Sequence, residues 1–228
     1  MEIGGNRRLV CSKAKQTGAV NGGEAVYLDL DGDWRFCYLR EILNEVNERM
    51  GRSVKNVLII VIGNTGNESE VLRQSLERFG YFVAVKYIGR PNDFISVISG
   101  DLRFESDYII LSCHGEDGKI VMPILDETIY ELNEPVGNMS ACDIEKRLNL
   151  HDKVILNLGC TTGTKDLAKV FSKENTYIAP NNYVEGNAAL YFVISFFYEL
   201  SKDTMPLQDA YNTAKAHDEE TRLFQLFQ

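Results

Sequence analysis

The chain has 228 residues, 44% of them hydrophobic, so it is long enough to bury the core of one substantial domain. Its 33 acidic and 24 basic residues give a net charge of −9, which disfavours binding to phosphate backbones or anionic lipid. The five cysteines are odd in number and scattered, which favours a reducing compartment over a disulfide framework. No apolar run reaches the length of a membrane span, and the N-terminus lacks the apolar core of a signal peptide. We therefore predict a soluble cytoplasmic protein that binds neither nucleic acid nor membrane.

Short β-branched runs alternate with helical patterns, which is typical of a parallel sheet covered by helices. The apolar runs, nearly continuous as in strands buried on both faces, are Val54–Ile62, Tyr81–Ile88, Tyr108–Cys113, Lys153–Leu158 and Tyr177–Pro180. The helical patterns are Asn67–Phe79, Asn92–Ser99, Ser140–Leu148, Thr164–Ser172, Glu185–Leu200 and a last helix that starts near Thr204 and Pro206. Asn67 and Glu70 have the spacing of a capping box at the start of the first helix.

Two segments interrupt this alternation. Residues 1–52 contain a glycine-rich loop, two short extended runs and a helical pattern, and we predict that they form an N-terminal extension that could regulate the rest. Residues 53–228 then form the main domain. Within it, the segment Gly118–Gly137 holds two extended runs, Lys119–Ile124 and Thr128–Leu132, which predict a small antiparallel hairpin.

Two of the apolar runs end in reactive side chains, one in His114-Gly115 and the other in Gly159-Cys160. Because the carboxyl ends of parallel strands meet at one edge of a sheet, we expect both side chains at the same edge. A thiolate there can attack a carbonyl, and an imidazole can manage the thiol proton and protonate the leaving amine. The N–H groups of Gly115 and Cys160 could hold the oxyanion, and Gly115 has no side chain to block a peptide. The pattern predicts Cys160 as the nucleophile and His114 as its partner.

Less specific interpretations apply to each residue taken alone, since a cysteine at a strand end is more often a small buried hydrophobe. The order of strand, reactive residue and glycine-containing turn occurs twice, and this repetition favours catalysis. His151 and His217 lie in polar surroundings and are interpreted as surface residues. Cys113 faces away from His114 on the same strand and is interpreted as packing. No other cysteine has a partner at zinc-site spacing, so we predict neither a metal nor a cofactor.

At these residues the chain resembles the caspase-like cysteine peptidases, which include caspases, metacaspases, separase and the bacterial peptidases with a CHAT domain. Ser112-Cys-His-Gly-Glu-Asp-Gly-Lys119 is similar to the caspase stretch around its histidine. Leu158-Gly-Cys-Thr-Thr-Gly163 is similar to CHAT and separase sequences around their cysteine. The two reactive residues are 46 positions apart, near the roughly fifty noted for caspases. The resemblance covers about residues 54–216.

The resemblance implies a caspase-like three-layer α/β sandwich, with a mostly parallel sheet flanked by helices and a small β-hairpin insertion. It also implies a cysteine endopeptidase that cleaves protein or peptide substrates through a Cys160 thioester, and regulation by a partner protein or a covering segment. The residues predicted to bind the substrate are Asn64, Glu116, Leu158, Asn181 and Glu185. Leu158 stands where caspases have a glutamine and metacaspases an acidic residue, so the residue preferred before the scissile bond stays open.

Two other functions stay open. A caspase-like fold without turnover would be a protein-interaction module, and the missing specificity residues favour it. A doubly wound domain could instead bind a small anion or nucleotide at Gly63-Asn-Thr-Gly66, although this segment lacks the lysine and the glycine spacing of a phosphate loop. Covalent labelling of Cys160 by a peptide electrophile separates the peptidase from the module.

Overall fold

The computed structural model describes residues 55–101, 104–202 and 204–228. The strands are β1 (Asn56–Ile62), β2 (Phe82–Ile88), β3 (Tyr108–Cys113), β4 (Gly115–Glu116), β5 (Lys119–Ile120), β6 (Val154–Asn157), β7 (Thr176–Pro180) and β8 (Phe224–Phe227). The helices are α1 (Glu68–Arg78), α2 (Pro91–Ile98), α3 (Ala141–Glu145), α4 (Lys165–Phe171), α5 (Gly186–Leu200) and α6 (Leu207–Lys215), with single 3-10 turns at Glu127–Ile129 and Thr221–Leu223. The predicted N-terminal extension, 1–52, lies outside the described residues and stays a prediction.

Six strands form one sheet in the order β2, β1, β3, β6, β7, β8. All neighbouring pairs are parallel except β7 and β8, which are antiparallel. All seven residues of β1 are buried, because successive side chains of a central strand enter opposite helix layers. The predicted fold class, an α/β sandwich with a mostly parallel sheet flanked by helices, is confirmed.

One helix layer contains α1, α5 and α6, whose apolar side chains pack with Ile110 of β3 and Leu156 of β6. On the opposite face, Phe171 of α4 stacks on Tyr177 of β7 with ring centroids 4.8 Å apart. The buried face of α5 is mostly apolar, and its Phe192 stacks on Phe224 of β8 at 4.1 Å, whereas Tyr191 and Tyr198 are exposed. Burial of each such ring stabilises the fold by about 2–3 kcal/mol. The sequence does not predict β8, which is only four residues long.

The predicted capping box at the start of α1 is wrong. The Asn67 side chain makes no capping hydrogen bond, and Glu70 is bonded to Arg73 at 2.6 Å. An ion pair between residues three apart on a helix competes for the same carboxylate, which explains the difference. The structure has its capping box at α3, between Ser140 and Asp143. This helix is also shorter than predicted and ends at Glu145.

The hairpin exists, and β5 covers the first two residues of the predicted run Lys119–Ile124, but its partner strand is not the predicted Thr128–Leu132. It is formed by β4 and β5, joined by Asp117 and Gly118, whose φ angles of 49° and 70° are positive as in the tight turns that suit hairpins. The second predicted strand, Thr128–Leu132, begins instead in a 3-10 turn. There the Asp126 side chain accepts a 2.9 Å hydrogen bond from the Thr128 N–H, and this local bond competes with strand pairing.

A long excursion, residues 121–138, follows the hairpin. Its ends are joined by two hydrogen bonds between Ile120 and Met139, of 3.0 and 2.9 Å. Its middle is fixed by the buried Glu134 carboxylate, which accepts from Arg90 and from two backbone N–H groups. The guanidinium of Arg90 lowers the pKa of Glu134 to about 2. Among the helices in the described ranges, none combines the length and apolar character that crossing a bilayer requires.

Candidate active site

The two predicted reactive residues follow adjacent strands. His114 comes directly after β3, and Cys160 lies three residues beyond the end of β6. β3 and β6 are paired in register, and the Leu158 N–H extends the pairing by donating to the Leu111 carbonyl at 3.0 Å. His114 is exposed and Cys160 is half-buried. Both side chains are therefore at the same edge of the sheet and within reach of a ligand.

The backbones that carry these residues are in direct contact. An ideal Cβ on Gly115 would overlap the Cys160 carbonyl oxygen and lie 2.7 Å from Thr162 Cγ2. One on Gly159 would lie 3.0 Å from the Gly115 nitrogen and 3.1 Å from the His114 carbonyl carbon. Glycine is thus required at both positions for the two strand ends to approach. The space beside Gly115 is filled by the Gly159-Cys160 backbone, whereas the sequence predicts that it admits a peptide.

Cys160 begins a sharp turn. Thr161 has a φ of 60°, a left-handed conformation that costs a β-branched residue about 1–3 kcal/mol. The turn is fixed by hydrogen bonds from the Thr161 N–H to the Asn182 carbonyl, at 3.1 Å, and from the Thr162 hydroxyl to the Gly159 carbonyl, at 2.6 Å. The Cys160 N–H itself donates to no group in the described ranges. A strained, well-supported turn therefore presents the thiol with an unused donor beside it.

The Cys160 sulfur lies beside the segment that leads into α5. Sγ is 3.5 Å from both the nitrogen and the carbonyl oxygen of Val184. Within the parts of the chain described, no direct hydrogen bond joins Sγ to the His114 ring. In enzymes without substrate, the bonds between catalytic groups are often long and tighten only in the complex.

The His114 ring is oriented by the loop that follows β1. Nε2 lies 2.9 Å from the carbonyl oxygen of Asn64. Since a carbonyl only accepts, this nitrogen carries the proton, and Nδ1 holds the lone pair of the neutral ring. The Asn64 side chain accepts from the Gly66 N–H at 3.1 Å, which shapes the same loop. The segment considered as an anion site thus serves as a strand-to-helix turn that holds the imidazole.

A cluster of three polar side chains supports this loop, and we call Thr65, Glu68 and Ser112 the Glu68 cluster. The Ser112 hydroxyl donates to Glu68 Oε1 at 2.6 Å and is 2.9 Å from the Thr65 hydroxyl. Burial raises the pKa of Glu68, opposed by the Ser112 hydrogen bond and the charge of His114. Sequence reasoning missed this cluster because Glu68 and Ser112 are 44 residues apart in the chain. The one local signal is Ser112, on the same strand face as His114.

The opposite face of the sheet edge holds a buried set of bonds, which we call the Asn157 network: Cys113, Asn157, Thr162 and Tyr177. Asn157 Oδ1 accepts from Cys113 Sγ at 3.3 Å and from the Gly159 N–H at 2.9 Å. Its Nδ2 donates to the Tyr177 hydroxyl, which donates to the Thr162 carbonyl at 3.1 Å. Burial raises the pKa of Cys113 and of Tyr177. The network supports the turn at Cys160 from the opposite face of the sheet with uncharged groups.

The hairpin contacts the same turn. The Gly118 N–H donates to the Thr161 hydroxyl at 3.1 Å, so the tip of the β4–β5 hairpin is bonded to the residue after Cys160. Glu116 and Lys119 face each other across the hairpin, and both are exposed. The hairpin therefore lies directly beside the turn that carries the thiol.

The residues predicted to bind a substrate fall into two groups. Asn64, Glu116 and Glu185 are exposed, on the β1–α1 loop, the hairpin and the residue before α5. Leu158 is only 5% exposed and packs in the core. Asn181 lines a separate cavity of about 650 Å³ between α4 and β8. The structure thus brings the first three near the reactive residues.

The other histidines lie away from this edge. His151 bonds to Asn149 at 3.1 Å, and His217 stacks on Tyr191 with ring centroids 4.3 Å apart. In the ranges that the structure describes, no group of three or more histidine, cysteine or acidic residues could hold a metal ion.

Comparisons with known proteins give a likeness to solved structures alone. No family model matches the chain, and no curated protein matches it. The chain is similar to a secreted C11 cysteine protease from Bacteroides thetaiotaomicron, solved in complex with an irreversible peptide inhibitor. The TM-score is 0.44 and the identity 9%, over 72% of this chain and 58% of that one. The chain therefore spans less than two thirds of that protease, and this likeness carries no argument about activity.

Proposed function

We propose that this protein is a cysteine endopeptidase in which Cys160 is the nucleophile and His114 its proton-handling partner. One observation carries the proposal. The His114-Gly115 and Gly159-Cys160 backbones abut at the carboxyl edge of adjacent parallel strands, with both reactive side chains accessible. A hydrogen-bonded imidazole, a thiol on a strained turn and an unused N–H beside it are the parts that acyl transfer requires.

The first half of the reaction forms a thioester. The Cys160 thiolate attacks the scissile carbonyl carbon, and the π electrons move to the oxygen, which the N–H groups of Cys160 and Gly115 would hold. When the tetrahedral intermediate collapses, the carbon–nitrogen bond breaks. The leaving nitrogen takes a proton from the His114 imidazolium, which leaves the acyl group on sulfur.

The second half releases the acid. His114 removes a proton from a water molecule, the hydroxide attacks the thioester carbonyl, and the carbon–sulfur bond breaks. The sulfur leaves as the thiolate and re-forms its pair with the imidazolium. The hydrogen bond to the Asn64 carbonyl keeps Nε2 protonated, so Nδ1 exchanges the proton in both halves.

The substrate proposed is a protein or peptide segment lying along the sheet edge. Asn64, Glu116 and Glu185 surround the reactive pair and would contact it. Leu158 and Asn181 stay predictions: Leu158 is in the core, and Asn181 is exposed and lines a different cavity.

The second candidate is the non-catalytic interaction module, and a specific observation favours it. The excursion exposes large apolar side chains, which in soluble proteins often mark protein contacts. They are Ile124, Ile129, Leu132 and Val136, at 91%, 56%, 92% and 76% exposure. A module would use this surface and need no thiol.

Intact-mass analysis tests the peptidase. The protein is incubated with peptide acyloxymethyl ketones that carry Asp, Arg, Lys, Asn or Leu next to the reactive group, and peptide mapping locates the label. We expect at least one probe to modify Cys160 at least a hundredfold faster than the exposed Cys142. The label should be absent in Cys160→Ala and slowed in His114→Ala, while Cys142→Ala behaves as wild type.

A folded sample in which no probe prefers Cys160 over Cys142 would contradict the peptidase. If that sample also captured a partner equally well with and without Cys160→Ala, and lost it when Leu132 became Ser, the interaction module would replace it.

A further inference from the structure

The Glu68 cluster connects three elements that meet at His114. Glu68 is the first residue of α1, Ser112 lies near the end of β3, and Thr65 belongs to the loop between β1 and α1. The two hydrogen bonds of 2.6 and 2.9 Å run from the carboxylate through the serine hydroxyl to the threonine hydroxyl. Thr65 directly follows Asn64, whose carbonyl oxygen bonds the ring. The carboxylate is thus joined to the imidazole by a continuous set of contacts.

The charged neighbours of Glu68 are few. The one charge that acts on its carboxyl among the described residues is that of His114. Besides burial, the charge of Glu68 on the other face of β3 and that of Cys160 raise the pKa of Cys113. The other charged residues of this part of α1, Glu70 and Arg73, pair with each other at 2.6 Å on the exposed side. Glu68 is therefore the half-buried carboxylate on the His114 side of β3, whereas Glu116 and Glu185 are exposed.

We propose that Glu68 is a positioning residue for His114, which fixes the loop that holds the ring and places a carboxylate on the same side of β3 as the ring. The inference rests on the proposed function, because it treats His114 as the partner of the Cys160 thiol. An imidazolium beside a thiol stabilises the thiolate, so Glu68 acts on the reactivity of Cys160 through His114.

The burial of the Glu68 carboxyl makes the stability of the folded protein depend on pH. Burial raises the pKa of Glu68 in the folded protein above its value in the unfolded chain. A carboxyl with a raised pKa stabilises the fold below its unfolded pKa, and this contribution is lost as the pH rises through the folded pKa. Above its folded pKa, the ionised Glu68 therefore opposes folding. Replacing it by an uncharged residue of the same shape relieves this opposition.

The test uses Glu68→Gln, whose amide oxygen can still accept from Ser112 but has no charge. Glu70→Gln is the matched control, since it removes a carboxylate from the same helix where it pairs with Arg73. The probe is iodoacetamide, which alkylates a thiolate without a substrate or turnover. The full chain is used, with peptide mapping to follow Cys160, and the thermal midpoint of unfolding is recorded for each sample.

We expect Glu68→Gln to slow the alkylation of Cys160 about three- to tenfold at pH 7.5, the size of one neighbouring charge's effect on an ionisation. The difference from wild type should shrink as the pH falls and Glu68 takes up its proton. The thermal midpoint of Glu68→Gln at pH 7.5 should equal or exceed that of wild type. Glu70→Gln should alkylate like wild type, and Ser112→Ala should be slowed as Glu68→Gln is.

Three results would overturn the inference. Equal alkylation of Glu68→Gln and wild type across the pH range would show that the Glu68 charge has no effect on the reactivity of Cys160. A loss of reactivity that follows a loss of thermal stability would make Glu68 merely structural. A change confined to peptide probes with Arg or Lys, with unchanged iodoacetamide rates, would make Glu68 a substrate contact. Failure of every peptide probe would overturn the proposed function alone, because the iodoacetamide comparison still decides the role of Glu68.

Discussion

Two thiols lie close to the same edge of the sheet, in opposite surroundings. Cys113 is 5% exposed, donates to the Asn157 side chain, and has its pKa raised chiefly by burial. Cys160 is half-buried and lies beside the backbone of Val184, on the side of the His114 ring. The Asn157 network beneath is buried and uncharged, whereas the Glu68 cluster above is ionisable. The two cysteines therefore differ in their environment and not in residue type, and this environment decides how accessible each thiol is.

The strongest test of this difference measures the alkylation rates of both thiols in one sample. We expect iodoacetamide at pH 8 to modify Cys113 about a thousandfold more slowly than Cys160, because Cys113 must wait for the sheet edge to open. Timed alkylation with peptide mapping measures both rates, and the exposed Cys142 gives the rate of an ordinary thiol. Similar rates for Cys113 and Cys160 would show that the two environments do not differ in solution.

The next largest effect is expected at the contact between the two strand ends. Gly115→Ala places a methyl group against the Cys160 carbonyl oxygen, so the backbones must separate. We expect the free energy of unfolding to fall by about 3 kcal/mol, as in overpacked cores, and labelling of Cys160 by peptide probes to be lost. Urea titration gives the first quantity.

Gly186→Ala is the control for this change. Gly186 begins α5 and has nothing within 4 Å of the added methyl group, so alanine there should be neutral or slightly stabilising. A stable, reactive Gly115→Ala protein would contradict the close approach of the two backbones.

Removal of the central amide should cost somewhat less. Asn157→Ala leaves the Cys113 thiol, the Gly159 N–H and the Tyr177 hydroxyl without their buried partner. We expect unfolding to become easier by about 2–3 kcal/mol, measured by urea titration. Asn212→Ala, on the exposed face of α6, should change stability by less than about 0.5 kcal/mol. Equal effects of the two changes would argue against a buried network.

The smallest loss of stability is expected for Tyr177. Tyr177→Phe removes one hydroxyl and keeps the ring stacked on Phe171. The Thr162 carbonyl then loses its donor, and we expect a loss of about 1 kcal/mol in urea titration. Tyr183→Phe, at an exposed position, is the control. A loss above that of Asn157→Ala would show that the tyrosine, and not the amide, is the centre of the network.

Much of the fold follows from local patterns, because the strands are buried on both faces. The five predicted apolar runs correspond to β1, β2, β3, β6 and β7 within two residues at each end. β8 is missed because a four-residue edge strand leaves little pattern. The partner strand of the hairpin is placed wrongly, although Asp117-Gly118 is a turn sequence with a strong preference for two-residue loops.

The candidate site likewise combines features that local sequence patterns predict with features that depend on tertiary packing. The positions of His114 and Cys160 at one edge follow from strand order, because each ends an apolar run. The Glu68 cluster depends on α1 packing beside β3, which no local spacing encodes. The catalytic roles predicted for His114 and Cys160 stay predictions until the reactivity of the Cys160 thiol is measured.

The closure of the excursion has a consequence for engineering this molecule. Because paired hydrogen bonds between Ile120 and Met139 join its two ends, residues 121–138 leave and re-enter the domain at a single point. The hairpin tip is bonded to Thr161 before the excursion begins. A loop of another length, or a grafted recognition sequence, must also keep two further anchors: the Val121 N–H, which donates to the His114 carbonyl at 3.0 Å, and the Glu134 carboxylate, which accepts from Arg90 and Asn92.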